Sequence, residues 1–413
     1  MPIIYVHGVA IRDESAFAGI SLFLRHYVAP KLNKAYPESV GIYPAFWWND
    51  AATFAWDGAS RPRTALLHKG ADQSSTPGDR AAMLAPFARI LQDLPKRPTS
   101  ISNDIRSMGP RQHFDVAPDT FIAALSRDDK VDLLALMLSA GHATDLDHPI
   151  PIGSDLARTI IATDENLSDD ADTADELARV VPEPPENVLA KGSARFITLR
   201  DRLLEAAARV GDAPGSAVTR ALEELRIPLN DFVTRFLGDI FVYLANRGGS
   251  CYGNIDEPPG LISRRVLDVI AKAQAKTPGE PTIVVTHSMG GQIVYDIVTR
   301  FMPDYDEYST LKPIDLWCAS ASQVGLFEEL KLFIMSDRAI RSPAQVPHPN
   351  TRGKLDRWLN VWDRSDIISY TGRPIFKSLE NDDREYSSGA SVLNAHGAYL
   401  VRPSFYKMVA SAI

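Results

Sequence analysis

"IVVTHSMGG", residues 283–291, is the stretch whose reading decides the fold. "PTIVV" (281–285) is apolar and rich in β-branched residues, as a buried strand requires, and "GGQIVYDIV" (290–298) carries the apolar spacing of a helix. Ser288 stands in the turn between them. A strand-to-helix turn this tight needs small residues two places before and two places after the serine, and it lifts the hydroxyl to the start of the helix. Gly290 fills the second place; Thr286 fills the first, where glycine is usual. Ser139 and Ser387 share the bare S-x-G spacing, but neither lies between an apolar strand and a helix.

Outward from the turn, strands and helices alternate. "PIIYVHG" is a short strand ending at His7 and Gly8, Phe17, Ile20, Leu24, Tyr27 and Val28 make one helical face, and "VGIYPAFWW" (40–48) is an aromatic-rich strand. After Pro228, a helical stripe runs through Leu229, Phe232, Val233, Phe236, Leu237, Ile240, Tyr243 and Leu244. "RRVLDVIAKAQAK" is a second amphipathic helix leading into the serine strand. Two further strands, "IDLWCA" and "WLNVW", precede a closing helix after "AHGAYL". This alternation predicts an α/β fold with a mostly parallel central sheet covered on both faces. Residues 49–227 read differently, as helical stretches such as "LLALMLSAG" and "ITLRDRLLEAAARVG" between polar, proline-bearing loops. The core is therefore expected in residues 1–48 and 228–413, with 49–227 as a helical cap or insertion. Within it, "TDENLSDDADTADELARVVPEPPEN" (163–187) reads as an exposed acidic loop.

Composition narrows the function. Apolar residues are 45% and charged residues 23% of 413, ordinary globular usage, so neither wholesale disorder nor a fibrous repeat is indicated. A net charge of −8 without any dense Lys/Arg run argues against nucleic acid as a partner. The opening "MPIIYVHGVA" has no charged leader and no run approaches the length of a membrane span, so a cytoplasmic protein is expected, with signal-free secretion as an effector and peripheral membrane contact left open. Cys251 and Cys318 are too few and too far apart for a disulfide framework or a zinc site, and Cys318 reads as core.

A serine at neutral pH needs a base, and the base an orienting carboxylate. In this strand-turn-helix context the chain order is Ser, acid, His, which restricts both partners to positions after 288. Two histidines qualify: His348 lies in the proline-rich "QVPHPNT", whereas His396, in "SVLNAHGAYL", precedes the closing helix and is preferred. The acid should follow the strand "WLNVW". Asp363 and Asp366 both do, and Asp366, past the turn and before an apolar pair, is preferred. Donors for a tetrahedral oxyanion would be the amides of Met289 and Val9, the latter presented by the turn at Gly8. His7 and His287 are supporting residues, with His7 bracing its loop. Phe46, Trp47 and Trp48 line a pocket or pack the core.

With "VHGV" at 6–9, "THSMGG" at 286–291, "NVWDRSD" at 360–366 and "AHGAY" at 395–399, the chain resembles the α/β-hydrolase superfamily, and within it serine hydrolases of the lipase and esterase type. The resemblance covers residues 1–50 and about 229–413. It implies cofactor-free and metal-free hydrolysis of a carboxylic ester through an acyl-enzyme, with a cap that shapes the pocket for a lipid or other apolar ester. Two competing readings differ in class. "HATDLDH" offers His142, Asp145, Asp147 and His148 to a metal, as in a metallohydrolase, and a catalytically silent hydrolase fold could serve as a binding or signalling module.

Overall fold

The computed structural model describes residues 1–9, 11, 12, 14–56, 126–142, 153–168, 234–248, 257–376, 379–388 and 395–413. In chain order these hold β1 (Ile3–Val6), α1 (Ser15–Phe23, continued by Leu24–Val28 and Ala29–Leu32) and β2 (Ile42–Ala45). Next come α2 (Arg127–His142), α3 (Ser154–Asn166), α4 (234–246), α5 (Leu261–Lys276), β3 (Ile283–His287) and α6 (Gly290–Asp296, continued to Asp304). β4 (Ile314–Ser320), α7 (Val324–Glu329), β5 (Leu355–Trp362), β6 (Asp383–Glu385) and α8 (Pro403–Ala412) complete the chain.

The six strands form one sheet in the order β2-β1-β3-β4-β5-β6, and every pairing is parallel. All five residues of β3 are buried, as a strand with neighbours on both edges and helices on both faces must be. β2 carries Pro44, which has no N–H to give, and lies at the sheet edge, where none is needed. The strand predicted over 40–48 ends at Ala45, and the chain turns through Trp48–Asp50. β6, three polar residues on the opposite edge, shows none of the apolar patterning that betrays a strand.

Side-chain alternation divides the core into two layers. On one face, Ile4, Val6, Val284, Trp317 and Trp358 pack with α4, α5, α6 and α7 through residues such as Tyr243, Val266, Ile293 and Phe327. On the other, Ile3, Tyr5, Val285, Leu359 and Val361 pack with α1, α2, α3 and α8 through Phe23, Ala135, Ile160 and Phe405. α3 lies against α1, and α2 lies against α3 and α8. The described helices of the 49–227 segment thus belong to the layer covering the second face. Its residues 57–125, 143–152 and 169–227, on which the expectation of a cap otherwise rests, lie outside the described residues.

The acidic stretch 163–187 is not all exposed loop. Its first four residues finish α3, and Asp164 is buried where Tyr27, Arg127 and Lys407 donate to its carboxylate. Residues 169–187 lie outside the described residues. No described helix is long and apolar enough to cross a membrane.

Candidate active site

The strand order reverses direction between β1 and β3, because β1 leads outward to β2 and β3 leads the other way to β4. In open parallel sheets a crevice forms beyond the carboxyl ends of the strands at such a point. The sequence places "HG" (7–8) at one lip and "HSMGG" (287–291) at the other.

Ser288 has φ 52°, a left-handed conformation that costs a non-glycine residue about 1–3 kcal/mol and persists only where its surroundings hold it. What holds it is on both sides: its amide donates to Ser320 O at the end of β4 (2.9 Å), and Gly291 N–H donates to its carbonyl (3.0 Å). The neighbouring loops close in around it. A Cβ on Gly8 would stand 2.6 Å from the Ser288 Cβ, and one on Gly290 would stand 2.6 Å from Val6 O. Both positions therefore require glycine so that the β1 loop and the start of α6 can touch. Thr286, the departure from the usual glycine, is buried and in use. Its hydroxyl accepts the indole N–H of Trp317 (3.0 Å) and donates to Cys318 O (3.4 Å), and its register neighbour on β4 is the small Ala319.

Three residues far apart in sequence meet at this turn. His396 Nε2 lies 2.9 Å from Ser288 Oγ, and His396 Nδ1 lies 2.9 Å from Asp366 Oδ2. An ionised carboxylate only accepts, so Nδ1 carries the proton and Nε2 is left to accept from the serine hydroxyl. Asp366 is buried, and Ile368 N–H donates to its other oxygen (3.1 Å). Asp363 is placed elsewhere: its carboxylate takes the amide of Ser365 (2.7 Å) and both the amide and the hydroxyl of Ser388 (2.8 and 2.5 Å), binding the loop to the segment after β6. His348 is also remote, with Nδ1 accepting from Asn350 N–H and its ring near Trp358.

The other two imidazoles are held neutral. Burial pushes His287 down to about 3, with His396 beside it adding to the shift, and burial pushes His7 down to about 3 as well. His287 Nε2 donates to the carbonyl of His396 (2.7 Å), an anchor for that histidine that its position next to the serine hinted at but did not specify. His7 Nδ1 donates to Gly8 O (2.7 Å), while Nε2 accepts from Trp47 N–H (3.0 Å) and the Trp47 indole donates to His7 O (2.9 Å). With both nitrogens committed, His7 braces the β1 loop. Trp47 is core; Phe46 and Trp48 are half-buried, 4.2 Å apart between ring centroids, with Trp48 5.4 Å from His7.

Val9 and Met289 are both buried beside the serine turn, and no acceptor among the described residues takes the amide of either. A pair of unclaimed amides at this spot can receive an anionic oxygen. The metal reading cannot be placed, since the side chain of His142 and residues 143–150 lie outside the described residues; among the described residues no group of three or more His, Cys, Asp or Glu is arranged to hold a metal ion. Compared with family models, curated proteins and solved structures, the chain matches none.

Proposed function

We propose that this chain is a serine hydrolase of the α/β-hydrolase type that cleaves a carboxylic ester through an acyl-enzyme. The observation that carries the proposal is the relay of Ser288, His396 and Asp366, two 2.9 Å contacts set on a strained turn where the strand order of a parallel sheet reverses. In this reading His396 Nε2 takes the Ser288 proton as Oγ attacks the ester carbonyl, and Asp366 stabilises the imidazolium and holds its tautomer. The amides of Val9 and Met289 receive the negative oxygen, a contribution worth about 10²–10³ in rate per donor in comparable sites. His396 then returns the proton to the departing alcohol, and water repeats the sequence to free the acid.

The half-buried Phe46 and Trp48 beside the His7 loop supply apolar surface for the substrate, which favours a lipid or other apolar ester. The experiment is labelling with a fluorophosphonate probe, with the modified residue located by mass spectrometry, followed by a panel running from short aryl esters to phospholipids. Modification of Ser288 and ester turnover are the expected results. A folded protein that neither reacts with the probe nor cleaves any ester would sink the proposal in favour of a binding role.

A further inference from the structure

We propose that Gln292 and Gln323 form a buried amide strut that sets the Asp366 loop against the nucleophile helix, which makes both glutamines positioning residues for the His396–Asp366 pair. The inference rests on the reading of Ser288, Asp366 and His396 given above.

Gln323 lies three residues past the end of β4 and immediately precedes α7; Gln292 lies in the first turn of α6, four residues after Ser288. Both are buried. Gln323 Nε2 donates to Ala321 O (2.7 Å) and to Ile368 O (2.6 Å). Carbonyls only accept, so the amide cannot be turned round, and Oε1 must face the other way. There it accepts from Gln292 Nε2. Ile368 in turn donates its N–H to Asp366 Oδ1, whose partner oxygen faces His396.

The contacts close a ring: α6, Gln292, Gln323, Ile368, Asp366, His396, Ser288, and back to the turn that begins α6. A ring of hydrogen bonds closed on one helix fixes the spacing of its members more tightly than an open chain does. Two features show that the fold sustains a cost here. Gln292 Oε1 is buried with no hydrogen-bond partner among the described residues, a rare condition that calls for a reason. Turning that amide over would aim its oxygen at the oxygen of Gln323, so the strut itself imposes the orphan. Ala321 has φ 52°, and its carbonyl is one of the two that Gln323 holds. Other bonds fasten the loop further from the carboxylate, through Asp363 to Ser388 on one side and from Tyr370 N–H to Ser322 O on the other.

The test uses the full chain with Gln323→Met, Gln292→Met and the double variant. Three quantities are read: thermal stability, the saturation kinetics of fluorophosphonate labelling at Ser288, and the downfield proton resonance of His396 Nδ1–H. The expected result for Gln323→Met is a maximal labelling rate lowered by about tenfold to 10²-fold, the scale of a misplacement of order 1 Å, with the half-saturating probe concentration unchanged. The His396 Nδ1 proton should shift or broaden. The double variant should be no worse than Gln323→Met, because Gln292 acts through Gln323. A folded Gln323→Met protein with an unchanged maximal rate and an unchanged Nδ1 proton overturns the strut, as does strict additivity in the double variant. Should Gln323→Met fail to fold, Gln292→Met leaves both bonds to carbonyls in place and carries the same readouts. Wild-type protein that the probe does not label defeats the hydrolase reading, and the Nδ1 proton still decides the strut.

Discussion

At the scale of single residues, the proposal divides labour sharply between neighbours. Ser288 is held by backbone contacts and, in the proposed reaction, supplies the attacking oxygen, so Ser288→Ala should leave the fold intact while lowering kcat by roughly four to six orders of magnitude. Activity within tenfold of wild type in that variant would remove the serine from the mechanism. The two aspartates of "VWDRSD" separate just as clearly. Asp366 faces the imidazole, and Asp366→Asn should cost on the order of 10⁴ in kcat by favouring the wrong tautomer. Asp363 accepts three hydrogen bonds from Ser365 and Ser388, so Asp363→Asn should chiefly lower stability, read as a fall in Tm, with far less loss of rate. The opposite ranking would transfer the acid's role to Asp363. Spacing in the sequence favoured Asp366 but could not show that the Asp363 carboxylate is occupied elsewhere; its partner Ser388 lies 25 positions away, beyond an edge strand that has no apolar signature.

At the scale of elements, the parallel core was legible because buried parallel strands are written as mainly apolar runs: β3 opens with Ile283, Val284 and Val285, β4 carries Leu316, Trp317, Cys318 and Ala319, and β5 carries Trp358, Leu359, Val361 and Trp362. What could not be read was contact between elements. α2 and α3 carry helical patterns in a segment that otherwise looks like an insertion, and nothing local marks Ala135 or Ile160 as partners of Phe23 and Phe405. Thr286 is the sharper case. By turn chemistry it looks like an imperfect substitute for glycine, whereas its hydroxyl is the partner of the buried Trp317 indole on the next strand. Thr286→Gly would restore the usual small residue yet strand that N–H and weaken a central strand. The expected cost is about 2–3 kcal/mol in chemical denaturation, the sum of an unsatisfied buried donor and a strand glycine. Ser288 labelling should persist in the folded fraction. An equal or more stable Thr286→Gly protein would show that the hydroxyl is incidental.

At the scale of the whole molecule, the neutral histidines tie the candidate site to the acid limit of the fold. His287 titrates near 3 when folded because it is buried and sits beside His396, against an unfolded value of about 6.5. Above pH 6.5 the ring is neutral in both states and contributes no pH dependence. Between about 6.5 and 3 the unfolded chain binds a proton that the folded chain refuses, so stability falls as pH falls, by about 1.4 kcal/mol per unit for this one group. His7 behaves in the same direction. Asp132 and Asp296 oppose it, since desolvation of their carboxyl groups raises both and the folded state then holds protons that the unfolded state releases. The total curve mixes these signs, and a difference between two proteins isolates one of them. His287→Gln keeps an N–H able to reach the His396 carbonyl and removes the titration. Its stability relative to wild type should therefore climb by about 1.4 kcal/mol for each unit that the pH is lowered from 6 to 4, measured by urea unfolding. Parallel curves across that window would mean that His287 is protonated in the folded protein. At neutral pH the same substitution should preserve Ser288 labelling far better than His287→Leu, because leucine leaves the His396 carbonyl without the donor that anchors the base.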